Sequence, residues 1–231
     1  SPIALTHTLF CPIVCSNNTY RTNIRRSTMR IIAIGCEYSG VTTLLDGLNQ
    51  WGTKHHIHFH MDDHFTIPDA FHLSEDEQQA MLTMLPTLKE RFQRFQIVYH
   101  VRLVNLYEQI LLGGFHIEEE VYGPRYYYPG LQVSDTRRYE TEMPADTILV
   151  HLHARPEVIK KRMQTTPHPH TLIESEHIPD LLAEFEQQYR QSWIQRKVNI
   201  DTSDLASDEL LDVFFARARG HLEPRDALLL N

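Results

Sequence analysis

The sequence predicts an α/β fold in which a five-stranded parallel sheet is covered by helices on both faces. Two observations support this prediction. Short apolar runs rich in β-branched residues alternate with longer segments whose apolar residues recur at helical spacing. Most of these runs are continuous in hydrophobicity, as expected of strands that are buried on both faces. We therefore expect a doubly wound sheet that binds its ligands at the carboxyl ends of the strands.

The chain contains five predicted strands. They are residues 29–34 (MRIIAI), 54–61 (KHHIHFHM), 96–101 (QIVYHV), 147–152 (TILVHL) and 197–200 (KVNI). A helix over residues 41–49 should follow the first strand, because Leu44, Leu45 and Leu48 lie at helical spacing. After the third strand we expect a helix that continues through Leu112 and stops at two glycines.

Six further helical or irregular segments complete the prediction. Ser74 and Glu77 form a capping box that opens a long helix to about Phe95, with a bend or break near Pro86. Helices are also predicted from Pro156, over residues 179–193 and over residues 207–218. Residues 114–145 are rich in aromatic residues, glycine and proline, which indicates a long excursion over a site. Residues 165–177, the flap, are polar and broken by proline, which favours a mobile cover.

The composition of residues 1–28 differs from that of the rest of the chain. This segment has no Asp or Glu and carries Arg21, Arg25 and Arg26. It is interpreted as an N-terminal extension, either disordered or an organelle transit segment, ahead of one domain over residues 29–231. The expected location is cytoplasmic, or a mitochondrion or plastid if the extension is a transit segment.

The charge of the chain narrows the classes of partner. Its 30 acidic and 22 basic residues give a formal charge of −8, which argues against bulk binding to nucleic acid or to an anionic membrane. No apolar run approaches the roughly 20 residues that span a bilayer. Three cysteines are too few for a disulfide framework and favour a reducing compartment. The expected partner is a small molecule, and a homodimer is one expected assembly.

Residues 35–42 (GCEYSGVT) match the spacing of the Walker A pattern, except that Val41 stands where the lysine is usual. The glycines let the backbone wrap an anion, and the following helix adds the positive end of its dipole. The Thr42 hydroxyl is placed to bind Mg²⁺. The residues expected to bind the nucleotide here are Gly35, Cys36, Glu37, Tyr38, Ser39, Gly40, Val41, Thr42 and Thr43.

Over residues 29 to about 220 the order of features resembles the nucleoside and nucleotide kinases of the P-loop group, including thymidylate kinase and uridine kinase. Four segments carry the resemblance. They are IIAIGCEYSGVTTLLDGL, HMDDHF, ILVHLHARPEVIKKRM and KVNIDTSDLASDEL. The resemblance implies a three-layer P-loop NTPase fold, ATP and Mg²⁺ as cofactors, and an adenine-side loop at Asp201, Thr202 and Ser203.

Four residues are candidates for catalysis. Asp63 or Asp62 would accept the proton of an acceptor hydroxyl, although both could be solvated loop acids or helix caps. Arg102 follows the predicted third strand and Arg162 lies in the predicted fourth crossover helix, so each could contact phosphate oxygens. Each could equally be an exposed basic residue of its helix. His100-Val101-Arg102 replaces the acid-arginine pair common after the third strand of these kinases.

Two other groups of residues have alternative interpretations. His56, His58 and His60 alternate along the predicted second strand and could bind a metal, but a sheet face covered by helices is a poor place for one. The tyrosines at 126–128 could stack on a base, or they could simply pack.

Two functions remain open at this point. The first is a kinase that transfers the γ-phosphate of ATP to a small nucleoside- or nucleotide-like acceptor. The second is a catalytically degenerate nucleotide-binding module, which is favoured by Val41 because the residue removes a cation that normally stabilises the transferred phosphoryl group.

Overall fold

A computed structural model describes residues 28–62, 73–131, 135–168 and 170–230. Five parallel strands form one sheet in the order β2-β3-β1-β4-β5. The strands are β1 (Met29–Ile34), β2 (His60–Asp62), β3 (Gln109–Gly113), β4 (Thr147–His153) and β5 (Arg196–Asp201). The predicted α/β class, the five-stranded parallel sheet and the three-layer arrangement are confirmed.

Helices cover both faces of this sheet. Those ahead of β4 are α1 (Val41–Lys54), α2 (Glu75–Leu82), α3 (Pro86–Leu106) and α4 (Phe115–Tyr122). Those after it are α5 (Pro156–Thr165), α6 (Ile178–Gln191), α7 (Leu210–Ala218) and α8 (Pro224–Leu228). A π-helical turn (Gly123–Tyr127) and a 3₁₀ helix (Arg137–Glu142) lie between α4 and β4. Within the described ranges, no helix combines the length and hydrophobicity needed to cross a membrane.

The strand β1 divides the core into two layers because its side chains alternate between the faces of the sheet. Ile31 and Ala33 pack with α1 and α7, through residues such as Leu44 and Phe214. Ile32 and Ile34 belong to the opposite layer, with buried residues of α3, α4 and α6. All six residues of β1 are buried. This central strand therefore delivers the loop that follows it to the middle of one edge of the sheet.

The predicted third strand is wrong. Residues 96–101 lie inside α3, where Ile97, Val101 and Val104 are buried at helical spacing. The observed third strand, Gln109–Gly113, was predicted as the end of a helix. The β-branched residues in QIVYHV suggested a strand, but the apolar period of 3 to 4 residues across 21 residues is that of a helix buried on one face.

The second strand is shorter than predicted. Helix α1 continues to Lys54, and only His60–Asp62 pair with β3. His56 has a φ of 58°, which is not an extended conformation. The three histidines therefore do not share one strand, and across the described residues no group of three side chains is arranged to hold a metal.

The aromatic segment after β3 is folded rather than an excursion. It forms α4, the π-helical turn and the 3₁₀ helix, and residues 132–134 lie outside the described ranges. Tyr127 and Tyr128 are buried in the core, and Tyr126 bonds to His177 Nδ1 at 3.0 Å. Tyr127 and Tyr128 therefore serve packing. Residues 1–27 of the predicted extension also lie outside the described residues.

Candidate phosphate-binding site

The loop from Gly35 to Gly40 joins the carboxyl end of β1 to the first turn of α1. Tyr38 and Gly40 both have positive φ, 65° and 105°, which turn the backbone sharply. The Ser39 amide closes the turn on the Cys36 carbonyl at 3.0 Å. Helix α1 begins without a side-chain cap at Gly40, so its first amides are directed at the loop without a capping acceptor. This arrangement suits an anion.

Gly35 and Ser39 show that the loop packs closely against its surroundings. A Cβ atom at Gly35 would overlap the carbonyl oxygen of Leu152 in β4 and the hydroxyl of Ser39. Glycine is therefore required for the loop to approach β4 so closely. The Ser39 side chain is fully buried, and its hydroxyl has no hydrogen-bond partner among the described residues. A buried donor without a partner is costly, so it is a natural ligand for a bound phosphate oxygen.

The residue at the position of the usual lysine is apolar and half-buried. Val41 packs against the core layer of α1 and α7. Thr42 and Thr43 are exposed in the first turn of α1. The Thr42 hydroxyl oxygen is of the kind that Mg²⁺ prefers. The residues of the loop therefore fit a nucleotide phosphate and Mg²⁺, apart from the missing cation.

Arg162 supplies a cation beside the loop. Its Nη1 donates to the Tyr38 carbonyl at 2.9 Å and to Thr202 Oγ1 at 3.0 Å, and Nη2 donates to the Thr202 carbonyl at 2.6 Å. Helix α5 thus places a guanidinium between the phosphate loop and the segment after β5. The sequence predicted that Arg162 could lie near the phosphates. It did not predict the hydrogen bonds from Arg162 to backbone carbonyl oxygens.

The segment after β5 also meets the phosphate loop. Thr202 is buried and donates from Oγ1 to the Ser39 carbonyl at 2.8 Å. The Ser203 hydroxyl accepts from the Arg155 amide at 2.8 Å, and Asp201 Oδ1 accepts from the Ser203 amide at 2.9 Å. The predicted adenine-side segment therefore lies next to the predicted phosphate loop.

A buried polar cluster lies on the α4 side of the loop. The Glu37 amide donates to the Tyr122 hydroxyl at 2.9 Å, and Tyr127 donates to Glu118 Oε1 at 2.7 Å. Burial raises the pKa of Glu37 to about 7. Bonds from the Leu172 and Ile173 amides oppose this rise, and the charge of Glu118 adds to it. Burial also raises the pKa of the Cys36 thiol to about 12, so the thiol stays protonated.

Sequence reasoning missed Glu118 and Tyr122. Both are on α4, which follows the observed third strand. The sequence predicted an irregular segment over these residues instead of a helix. The Gly114 amide donates to the Ala33 carbonyl of β1 at 2.8 Å, so α4 begins beside the phosphate loop. The pair of glycines after an apolar run (LLGG) was the available signal.

The flap is held by side chains of the phosphate loop. Tyr38 stacks on His168 with ring centroids 4.1 Å apart, and its hydroxyl bonds to Thr171 Oγ1 at 2.7 Å. The His168 amide donates to the same hydroxyl at 3.0 Å. The Leu172 amide donates to the Glu37 carboxylate at 3.2 Å. The flap therefore rests on the two loop residues whose side chains are largest.

Comparisons with known proteins agree on the architecture. No protein-family model matches the chain, and no curated protein matches it. Among solved structures, YorR from Bacillus subtilis in complex with phosphorylated GDP matches with a TM-score of 0.53 and 17% identity, over 83% of this chain and 98% of that one. Deoxyadenosine kinase from M. mycoides with bound dATP matches at 0.53 and 12%, over 81% and 98%. Thymidylate kinase from Candida albicans matches at 0.51 and 11%, over 84% and 93%.

The chain has the fold of the P-loop kinases. At these identities the likeness is one of fold. The predicted catalytic acids, Asp62 and Asp63, are only partly described in this fold. Asp62 ends β2 opposite Leu112 of β3, at the same sheet edge as the loop, but its side chain is outside the description. Asp63 lies outside the described residues.

The structure does not place Arg102 at the phosphate loop. Arg102 is exposed in α3, about one turn before that helix ends near the amino end of β3. Its predicted position depended on a third strand that is helical. The residues that follow the observed third strand are Gly114 and Phe115, so neither an acid nor an arginine occupies that position.

Proposed function

We propose that this protein is a phosphotransferase that moves the γ-phosphoryl group of ATP to a small nucleoside- or nucleotide-like acceptor. The observation that carries the proposal is the meeting of three segments at one edge of the sheet: the phosphate loop after β1, Arg162 of α5 and Thr202 after β5. In a doubly wound sheet this edge is where ligands bind. The overall likeness to structures of small-molecule kinases supports the choice.

The loop residues would act by position and charge. The first amides of α1 and the Ser39 hydroxyl would donate to phosphate oxygens, and Gly35 allows the backbone to come close. Mg²⁺, when bound, would supply positive charge that offsets the negative charge of the phosphates. The Thr42 hydroxyl would hold it. Apart from Mg²⁺, these contributions come from groups of the loop and of the first turn of α1.

Arg162 would compensate in part for Val41. Its guanidinium lies against the loop at the Tyr38 carbonyl and remains charged at any physiological pH. A cation at that place would stabilise negative charge on the phosphates, which the absent lysine usually does. Asp63, or Asp62 at the end of β2, would accept the proton of the acceptor hydroxyl.

The second candidate function is a nucleotide-binding module without catalysis. It is favoured by two observations, namely that Val41 is turned to the core and that Gly114 and Phe115 follow β3 in place of an acid and an arginine. Such a module would gain stability from ATP or ADP while transferring no phosphate.

A radiolabelled transfer assay separates the two functions. The full chain is incubated with MgATP and a panel of nucleosides, nucleoside monophosphates and related ring substrates. The proposal expects transfer to at least one acceptor, reduced about 100-fold or more in Asp63→Asn. Asp76→Asn, at an exposed position in the first turn of α2, is the control and should retain activity.

The other outcomes each have one meaning. Turnover at background with a melting temperature raised by ATP would support the module and reject the kinase. If ATP neither reacts nor shifts the melting temperature, both functions are rejected and the loop has only a structural role.

A further inference from the structure

A groove, here called the α7 groove, is formed by α1, α7 and the residues after α8. Its volume is about 420 Å³. The lining is mostly apolar and includes Trp51, Leu211, Phe215, Ala216, Leu229 and Leu230. Trp51 lies in the last turn of α1, whereas the phosphate loop precedes the first turn of that helix. The groove is therefore separate from the phosphate-binding site.

The apolar lining of the α7 groove is only partly covered. The rings of Trp51 and Phe215 lie with their centroids 4.7 Å apart, and Phe215 is buried. Trp51 and the three leucines of the lining are half-buried. Asp212 and Arg219 are the charged residues of the lining, and both are exposed. The groove therefore offers apolar surface that an apolar segment of chain would remove from water.

The described part of the chain begins beside this groove. The Thr28 amide donates to Oδ2 of Asp226 at 3.1 Å, and Asp226 is fully buried in α8. The carbonyl of Asp226 accepts from the amide of Leu229 at 3.1 Å, and Leu229 lines the groove. Residues 1–27 are therefore joined to the domain within one helical turn of the groove wall.

The sequence ahead of Thr28 has two parts of different character. Residues 3–15 (IALTHTLFCPIVC), the apolar segment, hold nine apolar residues and no Asp, Glu, Lys or Arg. Residues 16–27 (SNNTYRTNIRRS) are polar and carry the three arginines. When extended, these twelve residues span up to about 40 Å. The apolar segment can therefore reach the groove from Thr28.

We propose that the apolar segment docks in the α7 groove of its own chain, with Phe10, its largest side chain, against Trp51 and Leu229. The occupant is chosen by where the described chain begins. A segment tethered this close to a site has an effective concentration in the millimolar range, so a modest apolar contact is enough to hold it.

The charges on the two sides are complementary. Residues 207–231, which include α7 and α8, carry five acidic residues and three arginines, whereas residues 1–27 carry three arginines and no acid. The arginines of the polar part follow the apolar segment toward Thr28, so they would lie over this acidic region while the apolar segment fills the groove.

Quenching of tryptophan fluorescence tests the contact in the full chain. Cys11 lies in the apolar segment, so a nitroxide label on its thiol should quench Trp51 strongly if the segment is docked. Cys15→Ser leaves Cys11 as the reactive thiol, because Cys36 is buried with its pKa raised to about 12. Trp193→Phe leaves Trp51 as the single tryptophan. The same protein with the nitroxide chemically reduced gives the unquenched reference.

Two variants of this labelled protein remove the contact from either side. Phe10→Asp should restore most of the fluorescence because it places a charge in the apolar segment. Ala216→Arg should do the same because it fills the groove from an exposed position of α7. Ala183→Arg is the matched control, because Ala183 is also exposed but lies on α6, which packs on the opposite face of the sheet. It should remain quenched, and all variants should keep the same melting temperature of the domain.

The proposal fails on any of three results. Trp51 fluorescence that is equal with the active and the reduced nitroxide would mean that the apolar segment does not occupy the groove. Quenching that survives in Ala216→Arg would place the contact elsewhere. Quenching that increases with protein concentration, over about 1–100 μM, would assign the groove to the apolar segment of a second copy.

Discussion

Gly35 is the loop residue whose substitution has the most predictable effect. A Cβ atom there would overlap the Leu152 carbonyl oxygen, which belongs to the backbone of β4 and cannot move without disturbing the sheet. We expect Gly35→Ala to lower the free energy of unfolding by about 2 kcal/mol or more and to abolish nucleotide binding. Urea unfolding and a thermal shift with ATP measure the two effects.

Gly220→Ala is the matched control for this change. A Cβ atom at Gly220 would meet nothing within 4 Å. The control should change the stability by less than about 0.5 kcal/mol. If Gly35→Ala were as well tolerated as Gly220→Ala, the close approach of the loop to β4 would be wrong.

Glu37 should make stability depend on pH. The unfolded chain releases this proton near the ordinary pKa of 4.5, whereas the folded chain holds it to about 7. Between those values the folded state binds more protons, so the free energy of unfolding falls as pH rises. Glu37→Gln cannot ionise. The variant should therefore gain stability relative to the wild type, by up to about 3 kcal/mol, as the pH rises from 4.5 to 7.

Urea unfolding of both proteins at several pH values measures this difference. Parallel stability curves for the wild type and Glu37→Gln would mean that Glu37 titrates normally in the folded protein.

At the scale of single residues, the sequence predicted the loop but not its surroundings. The spacing of Gly35, Gly40 and Thr42 is a local property, and it located the turn correctly. Glu118 and Tyr122 could not be found in this way, because their place beside Glu37 depends on which run of residues forms β3.

The flap is held to the phosphate loop by contacts that can be removed one at a time. Tyr38→Phe keeps the ring that stacks on His168 but loses the hydroxyl that bonds to Thr171 and to the His168 amide. At about 1 kcal/mol for a net hydrogen bond, losing the bond from the His168 amide should raise the exchange rate of that amide about fivefold. Hydrogen exchange resolved by residue measures it.

Tyr139→Phe provides the control, since its hydroxyl accepts only an exposed bond from Arg138 among the described contacts. Exchange in the flap should not change in this variant. If the flap amides exchange at wild-type rates in Tyr38→Phe, the flap is held by other contacts.

Helix α5 is joined to the loop through Arg162. Lysine at this position would keep the charge but could not donate in a planar fork to Tyr38 and Thr202. We expect Arg162→Lys to reduce the free energy of unfolding by about 1–3 kcal/mol and to weaken ATP binding. The exposed neighbour Lys161→Ala should change neither. Equal stability of the two variants, measured in urea, would contradict this role.

At the scale of elements, the sequence located β1, β4 and β5 but missed β3, because it took part of the half-buried helix α3 for a strand. Strands β1 and β4 are nearly continuous apolar runs, and both were located within one residue, as was the more polar β5. The segment QIVYHV has the β-branched residues of a strand, and only the apolar period over the 21 residues of α3 identifies it as helical. Propensity was overridden by tertiary packing.

At the scale of the whole molecule, the order of elements determines the site more than any one motif does. The sheet order β2-β3-β1-β4-β5 brings the ends of β1, β4 and β5 together, and it carries Gly35, Arg162 and Thr202 to one place. The alternation of strands and helices predicted this architecture from the sequence. The exposed apolar side chains of α3, such as Phe95, could not be assigned to one helix from the sequence, because part of the segment was predicted as a strand.

Equilibrium binding of MgATP to the full chain tests the central claim most directly, with the wild type and Val41→Lys compared by calorimetry. Val41 begins α1 and is only half-buried at the margin of the core, so a longer lysine side chain could extend past that margin toward phosphates held by the loop. The account predicts saturable binding of one ATP to the wild type, and binding at least about tenfold tighter to Val41→Lys. Absence of binding to both folded proteins would contradict it.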